Sequence, residues 1–550
     1  MDTSSSTVAK SQVGRRVGPH IVFVLADDLG HNGIPQRNPR LVAPALERLG
    51  REGAILEDFY TASTCAPARA SLMTARWSYK SLDGNYAWFW IEKGLHQDYS
   101  LLPAPLARRG YVTAAVGKWH LGHFRRSLLP TSRGFASFYG FLSGCEDHRT
   151  QENCCPRCSG DLAVIDLFRD DAPARGENGT DNTGSFARES RAVVRRYAAG
   201  IGRREMHRRP LFLYLALQDV HAPFQVEPRY EALHQSSWRH FNVWAGMVSA
   251  VDETVHNVSE ELRRVKMWSH TLFVFASDNG SPVNDKVGLV WSGGSNAPLR
   301  GEKHTLFEGG VRTPAIISGG WLSRRQRGTQ LHGLCHMVDW YATFCAVSGG
   351  SCPEMAEGPS DADGIDLSAW LQGDVERSPR NVVVLGHEPL PPPAQSRRRK
   401  RLVQEELLQL GHSSRTPPAP SSPPSIANAT GAIRVGDWKL LLGDQNYISW
   451  GGEFSPNATF NATPPDSCRP RRRPQRAKVC WPVPCLFNLR SDPTEHADLA
   501  AARPDKLADL LVLFHRLDTD FHAPPQGVKS RKLYCAATAS SGGFMVPWRT

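Results

Sequence analysis

No run of apolar residues in this 550-residue chain approaches the roughly 20 that a membrane span requires, and the densest, Leu211 to Leu217, has the length of one core strand. Met1 to Pro19 is polar and basic and lacks the apolar core of a secretory signal, which by itself points to the cytosol. No internal repeat recurs, so a repeat architecture is excluded. The net charge of +11 suits an acidic partner, but part of it is confined to Arg397-Arg398-Arg399-Lys400-Arg401 and Arg471-Arg472-Arg473. Such runs read as solvated loops, not as a nucleic-acid site, although a sulfated polysaccharide is attracted through the same field.

The composition is otherwise globular, 40% hydrophobic and 22% charged, and the length predicts a large domain of about 350 residues with a smaller one beside it. Against a cytosolic reading stand 12 cysteines and the acceptor sequons at Asn178, Asn257, Asn428, Asn457 and Asn461. Together they favour the secretory pathway, with a lysosomal or extracellular destination and a signal peptide missing from this sequence. Cys155-Pro-Arg-Cys158 has zinc-like spacing without a comparable second pair nearby, so disulfides are expected. Setting Cys65 aside leaves an odd number of cysteines, and at least one must be a free thiol or pair with another chain.

Four apolar stretches read as buried strands, and each ends in polar residues. His20–Ala26 delivers Asp27 and Asp28, Gly110–Gly117 delivers Lys118 and His120, Pro210–Leu217 delivers His221, and Thr271–Ala276 delivers Asp278 and Asn279. Asp-Asp and Asp-Asn-Gly are ordinary loop and turn sequences, and a Lys or His at a strand end is ordinarily solvated. Four such ends in succession match the rule that open α/β sheets gather their sites at the carboxyl ends of strands. Asp27, Asp28, Asp278 and Asn279 offer the hard oxygens that Ca²⁺ or Mg²⁺ prefers, and Lys303 adds a loop cation. Between the first two strands, Ser63-Thr-Cys-Ala-Pro-Ala-Arg69 predicts a helix that begins at Cys65, with Thr64 as its cap and Pro67 in its first turn. A helix N-terminus with Arg69 one turn on favours an anion, so Cys65 reads as a nucleophile facing an anionic substrate.

The resulting fold class is α/β, a central mixed and mostly parallel sheet flanked by helices, with a smaller α+β domain at the C-terminal end. We divide the chain into a polar tail (1–19), a catalytic domain (20–387), a Pro/Ser/Arg-rich insertion or linker (388–430, with a short helix at Leu402–Leu410) and the C-terminal domain (431–550). In that last domain Ala432–Leu442 and Pro484–Leu489 read as antiparallel strands and Pro504–Leu517 as an amphipathic helix.

Cys65-x-Pro-Ala-Arg69 resembles the signature of the type I, formylglycine-dependent sulfatases, and Gly110-Tyr-x-Thr-x-x-x-Gly-Lys-Trp-His120 resembles their second signature. With Ser277-Asp-Asn-Gly280, Arg300-Gly-x-Lys303 and Asp492-Pro-x-Glu495 in the same order, the resemblance covers residues 20 to about 520 and is strongest to the arylsulfatase B-like branch. Ala75 departs from it, where Gly is usual. The resemblance implies the alkaline-phosphatase-like fold and a formylglycine made from Cys65 by a formylglycine-generating enzyme. It implies one Ca²⁺ on Asp27, Asp28, Asp278, Asn279 and residue 65. Arg69, Lys118, His120, His221 and Lys303 would then surround the sulfate of a sulfated carbohydrate or aryl sulfate. Attack on sulfur by the hydrated aldehyde follows, with His221 or Lys303 assisting the leaving alcohol and His120 the base that releases sulfate. The competing readings are a phosphatase or phosphonate hydrolase on the same scaffold, whose extra metal ligands are not evident, and a non-catalytic polyanion binder in which Cys65 stays a thiol.

Overall fold

The computed structural model of the chain describes residues 18–82, 89–154, 158, 163–200, 209–285, 290–388, 430–443, 445, 480, 483–517 and 527–549. Residues 1–17 of the polar tail, most of the 388–430 segment with its short helix, both arginine runs and the sequons at Asn428, Asn457 and Asn461 lie outside them.

A ten-stranded mixed sheet forms the centre. In chain order its strands are β1 (His20–Ala26), β2 (Ala54–Leu56), β3 (Val112–Gly117), β4 (Ser137–Gly140), β5 (Phe168–Arg169), β6 (Ala172–Pro173), β7 (Leu211–Ala216), β8 (Thr271–Ser277), β9 (Ala315–Ser318) and β10 (Thr329–Leu331). Across the sheet they run β10-β2-β9-β8-β1-β7-β3-β4-β5-β6, with β8, β1, β7, β3 and β4 mutually parallel. The four strands expected from apolar runs are these central ones, because a strand covered on both faces needs no polar alternation. Along β1 the faces divide by parity. Ile21, Phe23 and Leu25 enter one core cluster with Trp340 and Phe344, while Val22, Val24 and Ala26 enter the other with Trp244, Val248 and Val251. Helices α1 (Pro44–Glu52), α3 (Asn182–Gly200) and α4 (Arg239–Arg264) cover the second face, and α2 (Cys65–Thr74) and α5 (Asp339–Val347) the first. Among the described residues no helix is long and apolar enough to cross a membrane.

A second, four-stranded antiparallel sheet joins β11 (Val382–Glu388), β12 (Thr430–Val435), β13 (Trp438–Leu442) and β14 (Cys485–Asn488), with helix α6 (Pro504–Arg516) packed on it through Leu510 and Phe514. Its first strand precedes the 388–430 segment. The chain's end returns to the large sheet, where Tyr534 and Met545 join the core and Cys158 is bonded to Cys535. Cys345–Cys352 and Cys480–Cys485 are the other disulfides among the described residues. Cys158 is thus a disulfide partner and not a zinc ligand, and Cys335 is a buried thiol that donates to the Asp58 carbonyl.

Candidate active site

Parallel register brings the polar strand ends to one edge. Ala26 lies opposite Ser277, Leu25 opposite Ala216, and Gly117 also opposite Ala216. Backbone pairing continues past the strands, with Asp27 N–H on Asp219 O (3.0 Å), Asp278 N–H on Ala26 O (3.1 Å) and Lys118 N–H on Ala216 O (2.8 Å). Gly117 makes the third of these possible. Its φ is +99°, and a Cβ there would lie 1.9 Å from Ala216 O.

Helix α2 begins at Cys65, as its sequence predicts, but Thr64 caps differently. Its side chain makes no capping bond, and its carbonyl accepts from Ala68 N–H at 3.2 Å. Cys65 Sγ lies 3.2 Å from Asp27 Oδ1 and 3.9 Å from Asp28 Oδ1. Burial, and then the charge of Asp27, push the thiol well above its usual range, so as a thiol Cys65 is protonated and a poor nucleophile. The helix terminus and Arg69 do not offset this.

Three cations face the three carboxylates. Arg69 Nη2 is 2.7 Å from Asp278 Oδ2 and 3.2 Å from Asp27 Oδ2, Lys118 Nζ contacts Asp27, and Lys303 Nζ is 2.8 Å from Asp28. All six side chains are buried. Burial would raise Asp27, yet Lys118 first, with Arg69 and Lys303, outweighs it and holds this carboxyl well below the usual range. In Asp28 and Asp278 burial wins, and Asp278 is pushed up to about 6. The lysines are desolvated too, but Asp27 keeps Lys118 charged and Asp28 keeps Lys303 charged.

A hard cation fits among these oxygens. Asn279 Oδ1 is buried and has no hydrogen-bond partner among the described residues, while its Nδ2 donates to Asp28 Oδ1 at 2.6 Å. Ligand atoms of Asp27, Asp28, Cys65 and His221 all lie within 4.8 Å of one another. The expected cage contained Asp278 and Asn279 and left His221 on the sulfate side. The structure draws His221 inward, with Nε2 3.8 Å from Asp28 Oδ2, and commits Asp278 Oδ2 to Arg69. Arg69, expected against the sulfate, is therefore engaged with carboxylates.

The two histidines are kept neutral. His221 Nδ1 lies 2.6 Å from the Ala222 carbonyl, which can only accept, so Nδ1 carries the proton and Nε2 is bare. Burial, then Lys303, hold its pKa well below the usual value, and burial, then Lys118 and Arg69, do the same for His120. His120 stands at φ +56° with its N–H on Leu142 O.

Several contributors were not anticipated. Behind His221, His148 Nε2 meets the His221 carbonyl at 3.1 Å and Nδ1 meets Asn182 Oδ1 at 3.1 Å, while Thr183 donates to Asp219. Beside the site, His304, which follows Lys303, is exposed. The one signal for it was that adjacency.

Residues 19–350 match a family model described as Sulfatase. The chain belongs to the sulfatase family. It is 30% identical to arylsulfatase J of Mus musculus over 96% of this chain and 80% of that protein. It is also 30% identical to N-acetylgalactosamine-6-sulfatase of Sus scrofa over 66% and 67%. A crystal structure of Ps i-CgsB in complex with k-i-k-neocarrahexaose superposes with a TM-score of 0.67 at 22% identity, covering 92% of this chain and 94% of that one. The fold and the activity class, sulfuric ester hydrolysis, follow from this membership, and the sulfatase scaffold explains why the four strand ends coincide.

Proposed function

We propose that this sulfatase cleaves sulfate monoesters of sugars, of the N-acetylgalactosamine sulfate type, and of aryl alcohols, with Cys65 converted to formylglycine and one Ca²⁺ bound. The reading rests on one observation: Asp27, Asp28, Asp278, Asn279 and Cys65 converge with Arg69, Lys118 and Lys303 at a single buried point. The first two relatives are themselves named as sulfatases, one of a hexosamine.

Asp27, Asp28, Asp278, Asn279 and residue 65 would hold the Ca²⁺, which supplies Lewis-acid polarisation of a sulfate oxygen. Formylglycine would supply the nucleophilic hydroxyl that a protonated thiol does not. The other roles belong to side chains of the chain itself. Lys118 and Lys303 stay cationic and donate to the sulfate oxygens, where a preorganised donor in a dry recess stabilises developing charge. Arg69 fixes Asp27 and Asp278. Lys303, kept charged by Asp28, donates the proton that the ester oxygen takes up as the alcohol leaves, and His221, whose Nε2 is bare, assists there only once it is protonated. His120 is the base in the step that releases sulfate. Maturation calls for a formylglycine-generating enzyme, and the disulfides support a secretory-pathway location, lysosomal or extracellular.

The test is the mass of the tryptic peptide Glu52–Arg69 from protein made in a secretory host, alongside turnover of aryl sulfate and aryl phosphate. An aldehyde at 65 with sulfate selectivity is expected. A thiol at 65 with no turnover would leave the polyanion binder, and phosphate selectivity would leave the phosphatase.

A further inference from the structure

His304 combines features that set it on the solvent side of Lys303, where the rest of the substrate must lie. Its neighbours Glu302, Lys303 and Thr305 are buried, whereas His304 is exposed. It is a non-glycine residue at φ +72°, a left-handed conformation that a bulky side chain adopts only where its surroundings impose it. The imposition is visible. His304 N–H donates to Ser63 O at 2.9 Å, Lys303 N–H to Ser281 O at 3.3 Å, and Thr305 closes the turn on Glu302. The residue that carries Lys303's neighbour is thereby tied to the segment leading into Cys65.

The ring itself has no hydrogen-bond partner among the described residues. Desolvation by the surrounding protein, and then the charge of Lys303, hold its pKa down to about 3. An exposed ring on a turn fixed between Lys303 and the segment leading into Cys65 stands beside the site on its solvent side. A neutral imidazole there offers one N–H donor and one bare nitrogen, which suits a hydroxyl or amide and gives no purchase on a second anion.

We infer that His304 is a specificity-determining residue that hydrogen-bonds a hydroxyl or acetamido group on the sugar ring bearing the sulfate. This rests on the sulfatase reading above. It implies that the enzyme distinguishes sulfated sugars from plain aryl sulfates through His304, while both use the same cation recess.

The test compares kcat/KM for 4-nitrophenyl sulfate and for a 4-methylumbelliferyl N-acetylgalactosamine sulfate, in wild type, His304→Ala and His304→Gln. His304→Ala should lose about tenfold or more on the sugar ester through KM and kcat together. Its turnover of the aryl ester should stay within about threefold, which also certifies the fold. His304→Gln, which keeps a donor and an acceptor, should recover part of the loss. Equal losses on both substrates would make His304 a structural support for Lys303, and no loss on either would remove it from the recess; each result overturns the inference. If wild type turns over neither ester, the sulfatase reading falls first and takes the inference with it, an outcome distinct from selective failure of the variant.

Discussion

Between pH 5 and 8 the folded chain should lose stability in part through one buried carboxyl, Glu495, and that part of the loss should be absent from Glu495→Gln. Glu495 is fully buried where the small sheet meets the loop that carries Lys303. Lys439 Nζ, also fully buried, lies 2.8 Å from Glu495 Oε1 and 2.9 Å from Glu308 Oε1, and the Glu308 N–H donates to Glu495 Oε2 at 2.7 Å. One lysine cannot neutralise two carboxylates. Glu308, desolvated but served by Lys439, Arg434 and Arg312, is held low, while burial and the charge of Glu308 push Glu495 up to about 7 despite Lys439. The folded state therefore binds a proton that the unfolded chain, with its ordinary value of 4.5, releases. A raised carboxyl stabilises the fold below 4.5, and that contribution is lost as pH rises from 4.5 to about 7. The interval corresponds to about 3 kcal/mol as a ceiling. Asp219, Asp252 and Asp278, each raised to about 6, act in the same sense, so the wild-type slope alone is not diagnostic. The difference between proteins is. Denaturant midpoints at pH 5, 6, 7 and 8 for both should show wild type falling more steeply by up to that amount, most of it between 5 and 7. Parallel slopes would refute the assignment of the proton to Glu495.

Cys65→Ala should lower aryl sulfate turnover by at least about 10³-fold, while leaving the melting temperature within a few degrees because the side chain is small and the helix continues; retained turnover would remove residue 65 from the chemistry. Stripping divalent cations should lower both activity and melting temperature, and adding back Ca²⁺ at about a hundred times its Kd should restore about 2.7 kcal/mol, with no shift on re-addition as the contrary result. Ala75→Gly should stabilise the chain by up to about 1 kcal/mol, because Ala75 closes α2 at φ +60° and its carbonyl accepts from both Asp363 and Gly364 N–H; Ala75→Val should destabilise it by more, and thermal melts of the three proteins decide the sign.

Where sequence reading located the site, it did so because the physics was local in one direction and regular in the other. Apolar runs such as Ile21–Leu25 and Leu211–Leu217 can only be strands buried on both faces, and parallel strands in register must present the residues that follow them at one edge. Asp27, Lys118, His221 and Asp278 were legible for that reason. The small sheet's first strand was not, since Val382–Glu388 pairs with residues beyond a long intervening segment and its apolar run belongs equally well to the end of the large domain.

The partnerships inside the site were the least legible part, and charge explains why. Near Cys65 the sequence offers three acids and three bases with no rule for pairing them, and in a buried recess each pairing changes what remains for a ligand. Arg69 pairs with Asp278 and Asp27, so Lys118 and Lys303 are left as the cations nearer the thiol and the histidines. With those six side chains balanced, a dication and a sulfate monoester anion entering together would add one net buried charge, whereas the dication alone would add two. Removing one base, as in Lys303→Ala, leaves Asp28 without its ammonium partner in a buried site, at a cost of several kcal/mol when nothing replaces it. Affinity for the cation and affinity for the anion are then coupled through the same carboxylates, and each should tighten the other.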